Sequence, residues 1–233
     1  MPPAEGRALG VVLVTGGASG LGAAVLDAVI AQGGTPVALD LHPPAGDVAH
    51  RIVDLADTRA AEAAVAAVAE EHGGLHGVVT AAGTDACGRL EDVDAKAWER
   101  VVVVNLLGTA AVARAALPHL ERSRGRLVTV ASTLGLRALS DATAYCASKF
   151  GVVGFTRALA VETQGRVGVT MLVPGGMRTA FFDGRPEQYR PGEDAQLSPP
   201  GEVAAAVVFA LTRPPGVELR ELVVTPSVEP SWP

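Results

Sequence analysis

"TGGASGLG", residues Thr15 to Gly22, follows the aliphatic run "LGVVLVTG" (Leu9–Gly16, sharing its last two residues) and leads into an alanine-rich stretch from Leu21 to Gln32. The first run reads as a buried strand and the second as a helix, so the glycines form a strand-to-helix turn. Such a turn gathers free backbone N–H groups and the positive end of a helix dipole at one point. Gly16, Gly20 and Gly22 permit a tight turn, close approach of backbone to a phosphate, and close packing of helix on strand. With Ser19 and Leu21 between them, they form a candidate pyrophosphate cradle.

Outward from this turn the chain keeps alternating. "TPVALD" is a second strand ending at Asp40, "RIVDL" (Arg51–Leu55) a third, and Thr58–His72 a helix of good formers. "LHGVVTAAG" is a fourth strand running into a turn at Gly83, followed by one long helix from about Ala95 to Leu120. "GRLVTVAS" is a fifth strand ending at Ser132, and "ATAYCASKFGVVGFTRALAVET" is another long helix. "VGVTMLVPGG" is a sixth strand, Pro200–Thr212 the last helix, and "ELRELVVTP" a seventh strand. Continuous apolar strands joined by helices predict an α/β fold: a single doubly wound domain with a seven-stranded parallel sheet covered on both faces. Ligands of such sheets bind at the carboxyl ends of the strands.

Composition narrows the function classes. The 233 residues suffice for one substantial core, with 48% hydrophobic residues and 27 glycines. A net charge of −6 with no long basic run argues against a nucleic-acid partner. The two cysteines, Cys87 and Cys146, have no metal-ligand spacing, and the five histidines are scattered, so no metal site is expected. The N-terminal apolar run breaks at Gly16, too short for a signal core or a membrane span, which sets a cytoplasmic location as the expectation.

Asp40 bears on the ligand. It lies 18 residues after Gly22 at the end of the second strand, where a carboxylate accepts hydrogen bonds from ribose hydroxyls. A 2′-phosphate there would meet a like charge, and the glycine turn carries no Lys or Arg to offset it. NAD(H) is therefore expected over NADP(H).

The chemistry is signalled by "YCASK", which puts Tyr145 and Lys149 on one helix face. A free phenol, with a pKa near ~10, is a poor base at neutral pH. An ammonium about 4 Å away, at an effective dielectric of ~20, would favour phenolate by up to ~4 kcal/mol, or ~3 pKa units. Tyr145 then serves as general base toward an alcohol and as general acid toward a carbonyl.

Glycine turn, acidic residue, Asn105 in "NLLGT", Ser132 and the Tyr145/Lys149 pair occur in an order that resembles the short-chain dehydrogenase/reductase family, over nearly the whole chain from Val11 to about Val224. The resemblance implies a Rossmann-type sheet and a secondary alcohol or ketone as substrate. Within it, Ser132 holds the substrate oxygen, Lys149 binds the nicotinamide ribose, and Asn105 holds a water that relays protons from Lys149. It also implies adenine contacts at Asp54 and Leu55, a strand-end turn at Ala82 and Gly83, and a nicotinamide amide held by Pro174, Gly175 and Thr179. A homodimer or homotetramer paired through the two long helices would follow.

Three departures stand out. Ala81 replaces a usual asparagine, the C-terminal end lacks the usual glycine, and the segment after Thr179 is short, giving a small substrate lid at about 180–200. Residues 225–233 form a tail whose Trp232 is expected on a neighbouring subunit. Leu134, Leu136, Met177, Phe181 and Phe182 predict an apolar substrate pocket. Arg137, Arg178 and Arg185 would instead suit an acidic or thioester-linked substrate such as a 3-oxoacyl group. Asp85 and Arg89 read as a solvated loop, with the edge of the substrate cavity as the alternative. A non-catalytic nucleotide-binding module, or a cofactor-free lyase of the halohydrin dehalogenase type, is opposed by Asp40, Lys149 and the intact glycine turn.

Overall fold

A computed structural model describes residues 7–232; residues 1–6 and Pro233, the last residue of the expected tail, lie outside that range. The elements are β1 (Val11–Thr15), α1 (Gly20–Ala31), β2 (Thr35–Asp40), β3 (Ala49–Ile52), α2 (Thr58–Glu71), β4 (Gly77–Thr80) and α3 (Ala95–Val102). A π-helical turn (Val103–Gly108) leads into α4 (Thr109–Ser123), followed by β5 (Arg126–Val130), α5 (Thr143–Glu162), β6 (Gly168–Pro174), α6 (Pro200–Leu211) and β7 (Glu221–Val224). The seven strands form one sheet in the order β3-β2-β1-β4-β5-β6-β7, and every pairing is parallel. The order reverses at β1 and β4, which opens a crevice at their carboxyl ends.

The central strands are apolar throughout because both faces are covered. Val12 and Val14 point into a core shared with Val25 and Val29 of α1 and Val203 and Val207 of α6. Leu13, between them, enters the opposite core with Val65 and Val68 of α2 and Val112 and Leu120 of α4. Helix starts follow from local chemistry. The Asp57 carboxylate accepts the N–H groups of Arg59 and Ala60 at the head of α2, and Asp94 accepts that of Ala97 at the head of α3.

Two elements differ from the sequence reading. The third strand lies at Ala49–Ile52, not Arg51–Leu55, and all four of its residues are exposed at the sheet edge. Val53 and Leu55 are buried because the chain drops into the core once the strand has ended, and Asp54 fixes that bend by accepting the Ala56 N–H at 2.9 Å. The apolar residues of "RIVDL" thus mark a loop's anchor, and Asp54 and Leu55 lie beyond the strand. The long helix is also not uniformly α-helical, since residues 103–108 make one π turn around Asn105. Helix Ala95–Ser123 is, among the described residues, the one long and apolar enough to cross a membrane, and half of its most apolar stretch is buried inside the protein.

Candidate active site

A cleft of about 1050 Å³ runs along the carboxyl ends of the strands. At one end lies the glycine turn, and its shape explains its composition. A Cβ on Gly22 would stand 2.0 Å from the Gly16 carbonyl oxygen, and one on Gly16, whose φ is +73°, would stand 2.8 Å from the Ala82 backbone. No side chain caps the N-terminus of α1, since Ser19 makes no capping hydrogen bond. The first-turn N–H groups beside Ser19, Gly20, Leu21 and Gly22 thus line the cleft without a side-chain partner. This cradle fits the pyrophosphate of a dinucleotide.

Asp40 ends β2 and its carboxylate accepts the Ala18 N–H at 2.9 Å and the His42 N–H at 3.1 Å, so it braces the glycine turn as well as facing the cleft. Asp54 and Leu55 line the same wall, and Asp54 is paired with Arg100 at 3.0 Å. Its backbone hydrogen bond to Ala56 leads the influences that hold the carboxyl below the ordinary aspartate value, with Arg100 adding to it. Across the cleft, Thr179 sits over Gly20, 3.4 Å from where a Cβ would be. Its hydroxyl accepts the Phe181 N–H at 3.3 Å, while Pro174, the last residue of β6, and Gly175 after it lie on the same wall. Ala81 lacks the usual polar side chain, and the strand ends are tied by the Thr15 hydroxyl, which accepts the Ala82 N–H at 3.1 Å.

Ser132, Tyr145 and Lys149 all line the cleft. Ser132 stands two residues beyond β5, where its hydroxyl accepts the Leu134 N–H at 3.1 Å and starts a single 3-10 turn. Lys149 is buried, with 4% of its surface exposed, and donates to the Val130 carbonyl at 2.8 Å. Burial pulls its ammonium down to about 8. Burial likewise pushes the Tyr145 phenol up to about 12, against the lowering effect of a hydrogen bond with Ser132. This corrects the sequence-based expectation of a lysine-lowered tyrosine. The ammonium lies 5.6 Å from the Tyr145 ring centroid but is turned toward Val130, and desolvation dominates the phenol.

Asn105 lies in the π turn and is held through its side-chain amide. Its amide nitrogen donates to the Thr84 carbonyl at 2.9 Å and to the Ser148 hydroxyl at 3.0 Å, and its oxygen accepts the Thr84 N–H at 2.8 Å. Every side-chain polar atom is therefore engaged in pinning the loop after Gly83 to α5. A Cβ on Gly83 would lie 3.5 Å from that oxygen and 3.9 Å from the Lys149 ammonium, so Gly83 keeps this spot open.

Sequence reasoning undervalued Asp85. Its side chain is 8% exposed and pairs with Arg185 at 2.7 Å, while Arg185 is flanked by the rings of Phe181 and Phe182 at 4.8 and 4.7 Å. Phe181 packs 5.7 Å from the Tyr145 ring, which brings segment 180–185 over the tyrosine. Cys87 donates its thiol to Asp85, and burial together with that carboxylate holds it up at about 12, so it is inert at neutral pH. Arg89, by contrast, is a solvated loop residue. Within the single chain, Trp232 packs against the buried cluster of Ala131, Val152, Val153, Met171 and Val173. An acid in a proline-rich tail carries no periodicity from which such docking is readable.

The model of the short chain dehydrogenase family matches residues 10–190. The chain is 36% identical over 221 residues to a D-threitol dehydrogenase of Mycolicibacterium smegmatis, covering 85% of this chain and 84% of that one. It is 34% identical over 217 residues to a 3-alpha-(or 20-beta)-hydroxysteroid dehydrogenase of Mycobacterium tuberculosis, covering 88% and 84%. A short-chain dehydrogenase from Burkholderia cenocepacia, solved in complex with NADP, superposes with a TM-score of 0.81 at 26% identity, over 94% of this chain and 98% of that one. A parallel seven-stranded sheet, a glycine cradle at its switch point and a match across most of the sequence agree: the chain belongs to the short-chain dehydrogenase family of NAD(P)-binding oxidoreductases.

Proposed function

We propose that the protein is an NAD-dependent oxidoreductase interconverting a secondary alcohol and its ketone, with Tyr145 as general acid and base. The observation that carries this reading is one cleft holding the glycine cradle at one end and Ser132, Tyr145 and Lys149 at the other. When bound, NAD(H) supplies or takes the hydride. Gly16, Ser19, Gly20, Leu21 and Gly22 hold the pyrophosphate, Asp40 the adenosine ribose, and Asp54 and Leu55 the adenine side. Ala82 and Gly83 form the floor between the two halves, while Pro174, Gly175 and Thr179 hold the carboxamide.

A phenol held at about 12 is protonated at neutral pH and thus ready to donate to a ketone oxygen. In the oxidative direction it must give up that proton, and Lys149, poised at about 8, is the adjacent group that can carry charge to stabilise phenolate. Ser132 orients the substrate oxygen, and Asn105 fixes the Thr84 loop and α5 so that Lys149 keeps its place.

Segment 180–200 serves as a small lid, closed by the Asp85–Arg185 pair. Leu134, Met177, Phe181 and Phe182 on the cleft wall, with Leu139 beside them, favour a modest apolar carbonyl compound, whereas Leu136, expected among them, packs against the buried cluster around Ala131 instead. The thioester reading is weakened because Arg185 is held by Asp85 and Arg137 donates to the Pro230 carbonyl at 3.1 Å. The protein acts as a homodimer or homotetramer.

Titration with NADH and NADPH tests the reading first. Tight NADH and weak NADPH binding are expected, with Asp40→Ala weakening NADH and narrowing that gap. Equal affinities in the wild type would remove Asp40 from cofactor choice, and binding of neither would remove the oxidoreductase assignment to this cleft.

A further inference from the structure

The end of the chain returns to the site by a route that the strand and helix pattern does not contain. After β7 the segment 225–232 crosses the mouth of the cleft, and Val228, Glu229, Pro230 and Ser231 line it. Glu229 stands at the centre of this crossing. One carboxylate oxygen accepts the Gly176 N–H at 2.7 Å, in the segment directly after β6. The other accepts both the N–H of Ser231 at 3.0 Å and its hydroxyl at 2.6 Å. The Ser231 oxygen is in turn 2.7 Å from the hydroxyl of Thr133, next in chain to Ser132. Arg137 closes the same turn on the Pro230 carbonyl, and Ser227 reaches back to Gln196 at 2.9 Å. Trp232 seats the end of the strap against the buried cluster that includes Ala131, Val153 and Met171.

The strap thereby adds a polar side-chain bridge between the segments that follow β5 and β6. Thr133 and Ser132 follow β5, Gly175 and Gly176 follow β6, and Glu229 with Ser231 spans them. A Cβ on Gly175 would stand 2.3 Å from the Glu229 carboxylate, so this wall is shaped around the strap. We propose that Glu229 is a positioning residue, and that the C-terminal segment is a strap, made by the same chain whose site it serves, which holds the Ser132 turn and the Gly175–Gly176 segment at a fixed separation. The inference rests on the reading of Ser132 and the Pro174–Thr179 segment as parts of the reaction site. A carboxylate suits the task because its two oxygens accept three donors at once, whereas alanine at 229 accepts none.

The test uses the full chain. In a Trp98→Phe background Trp232 is the sole tryptophan, so its emission and acrylamide quenching report docking of the strap without reference to turnover. Glu229→Ala is expected to shift that emission to the red and raise quenching. It should also lower kcat for ketone reduction by ten-fold or more, with a smaller change in KM for the ketone and little change in the thermal midpoint. Glu229→Gln keeps an acceptor for only one side of the bridge, Gly176 or Ser231, and is expected to recover only part of both signals. Unchanged kcat in Glu229→Ala alongside an undocked Trp232 would overturn the positioning role. Unchanged Trp232 emission would overturn the strap itself. Co-expression of Glu229→Ala and Tyr145→Phe chains under two different tags then asks which chain the strap serves. Activity recovered in the purified mixed oligomer would place the strap over a neighbour's site and overturn the proposal; a mixed oligomer with no recovery is the result expected. A docked strap in a protein that turns over no carbonyl compound would count against the oxidoreductase reading and leave the docking intact.

Discussion

Replacing Lys149 by methionine should change stability in a way that depends on pH, and the size of the effect follows from where the lysine sits. Its ammonium is buried and held near 8, against an ordinary value of 10.5. Between those two values the unfolded chain is protonated and the folded one is not, so stability rises with pH across that window. Below 8 the full burden is present, about 3 kcal/mol at about 1.4 kcal/mol per pH unit. Methionine removes that burden and fills similar space, but it leaves the Val130 carbonyl without its donor, a loss of about 1–3 kcal/mol. At pH 7 Lys149→Met is therefore expected to be more stable than wild type by about 1 kcal/mol.

At pH 9 the burden on the wild type has fallen to about 2 kcal/mol, so the advantage shrinks by about 1 kcal/mol and approaches zero. Urea unfolding of both proteins without cofactor reads this directly. With a slope of about 2–3 kcal/mol per molar, the gap between the two midpoints should close by about 0.5 M from pH 7 to pH 9. Titrations of other groups occur in both proteins and cancel. A gap that is the same at both pH values to within about 0.1 M would refute the reasoning, because it would mean that the folded lysine titrates where a free one does.

Two other substitutions probe the site from different sides. Tyr145→Phe removes the proton donor but no cradle contact; turnover should drop by about 100-fold or more while the NADH dissociation constant stays within two-fold, and a comparable loss of affinity would move Tyr145 from chemistry to binding. Asp85→Ala leaves Arg185, part-buried between two rings, with a long 3.5 Å bond to the Tyr189 carbonyl in place of its ion pair, which should cost about 1–3 kcal/mol in chemical denaturation. Asp85→Ala combined with Arg185→Met should recover most of it, and a double variant no more stable than the single one would show that the pair is not the source.

How much of this was legible in the sequence varies with the kind of interaction. β1 and the glycine turn were readable because burial on two faces and a steric ban on side chains both leave marks on residue type, as Val12–Val14 and Gly22 do. The Tyr145/Lys149 spacing was readable from helix geometry alone. The protonation of that pair was not, since it depends on how deeply α5 buries Lys149 and on the Val130 carbonyl at the end of β5, which only the fold brings to the ammonium. Asp54 and Leu55 misled because a buried valine and leucine flanking an acid look alike in a strand and in a bent loop anchor. Asp85 and Glu229 had no signal at all. Each is a lone acid in a loop, and its partner, Arg185 or Gly176, is brought to it only by the fold.

The π turn at residues 103–108 changes how the length of this helix is to be counted. An α-helix from Ala95 to Ser123 would need one residue fewer to join the same two buried faces, so this turn carries a surplus residue. Exposed Leu107 could be deleted and the turn would close into regular helix with α3 and α4 still seated. Asn105 would lose its aim at Thr84 and Ser148, and Leu106 its seat against Gly151. Foldability and site geometry thus part company at a single insertion, and the extra residue is tolerated by the scaffold because it is used by the site.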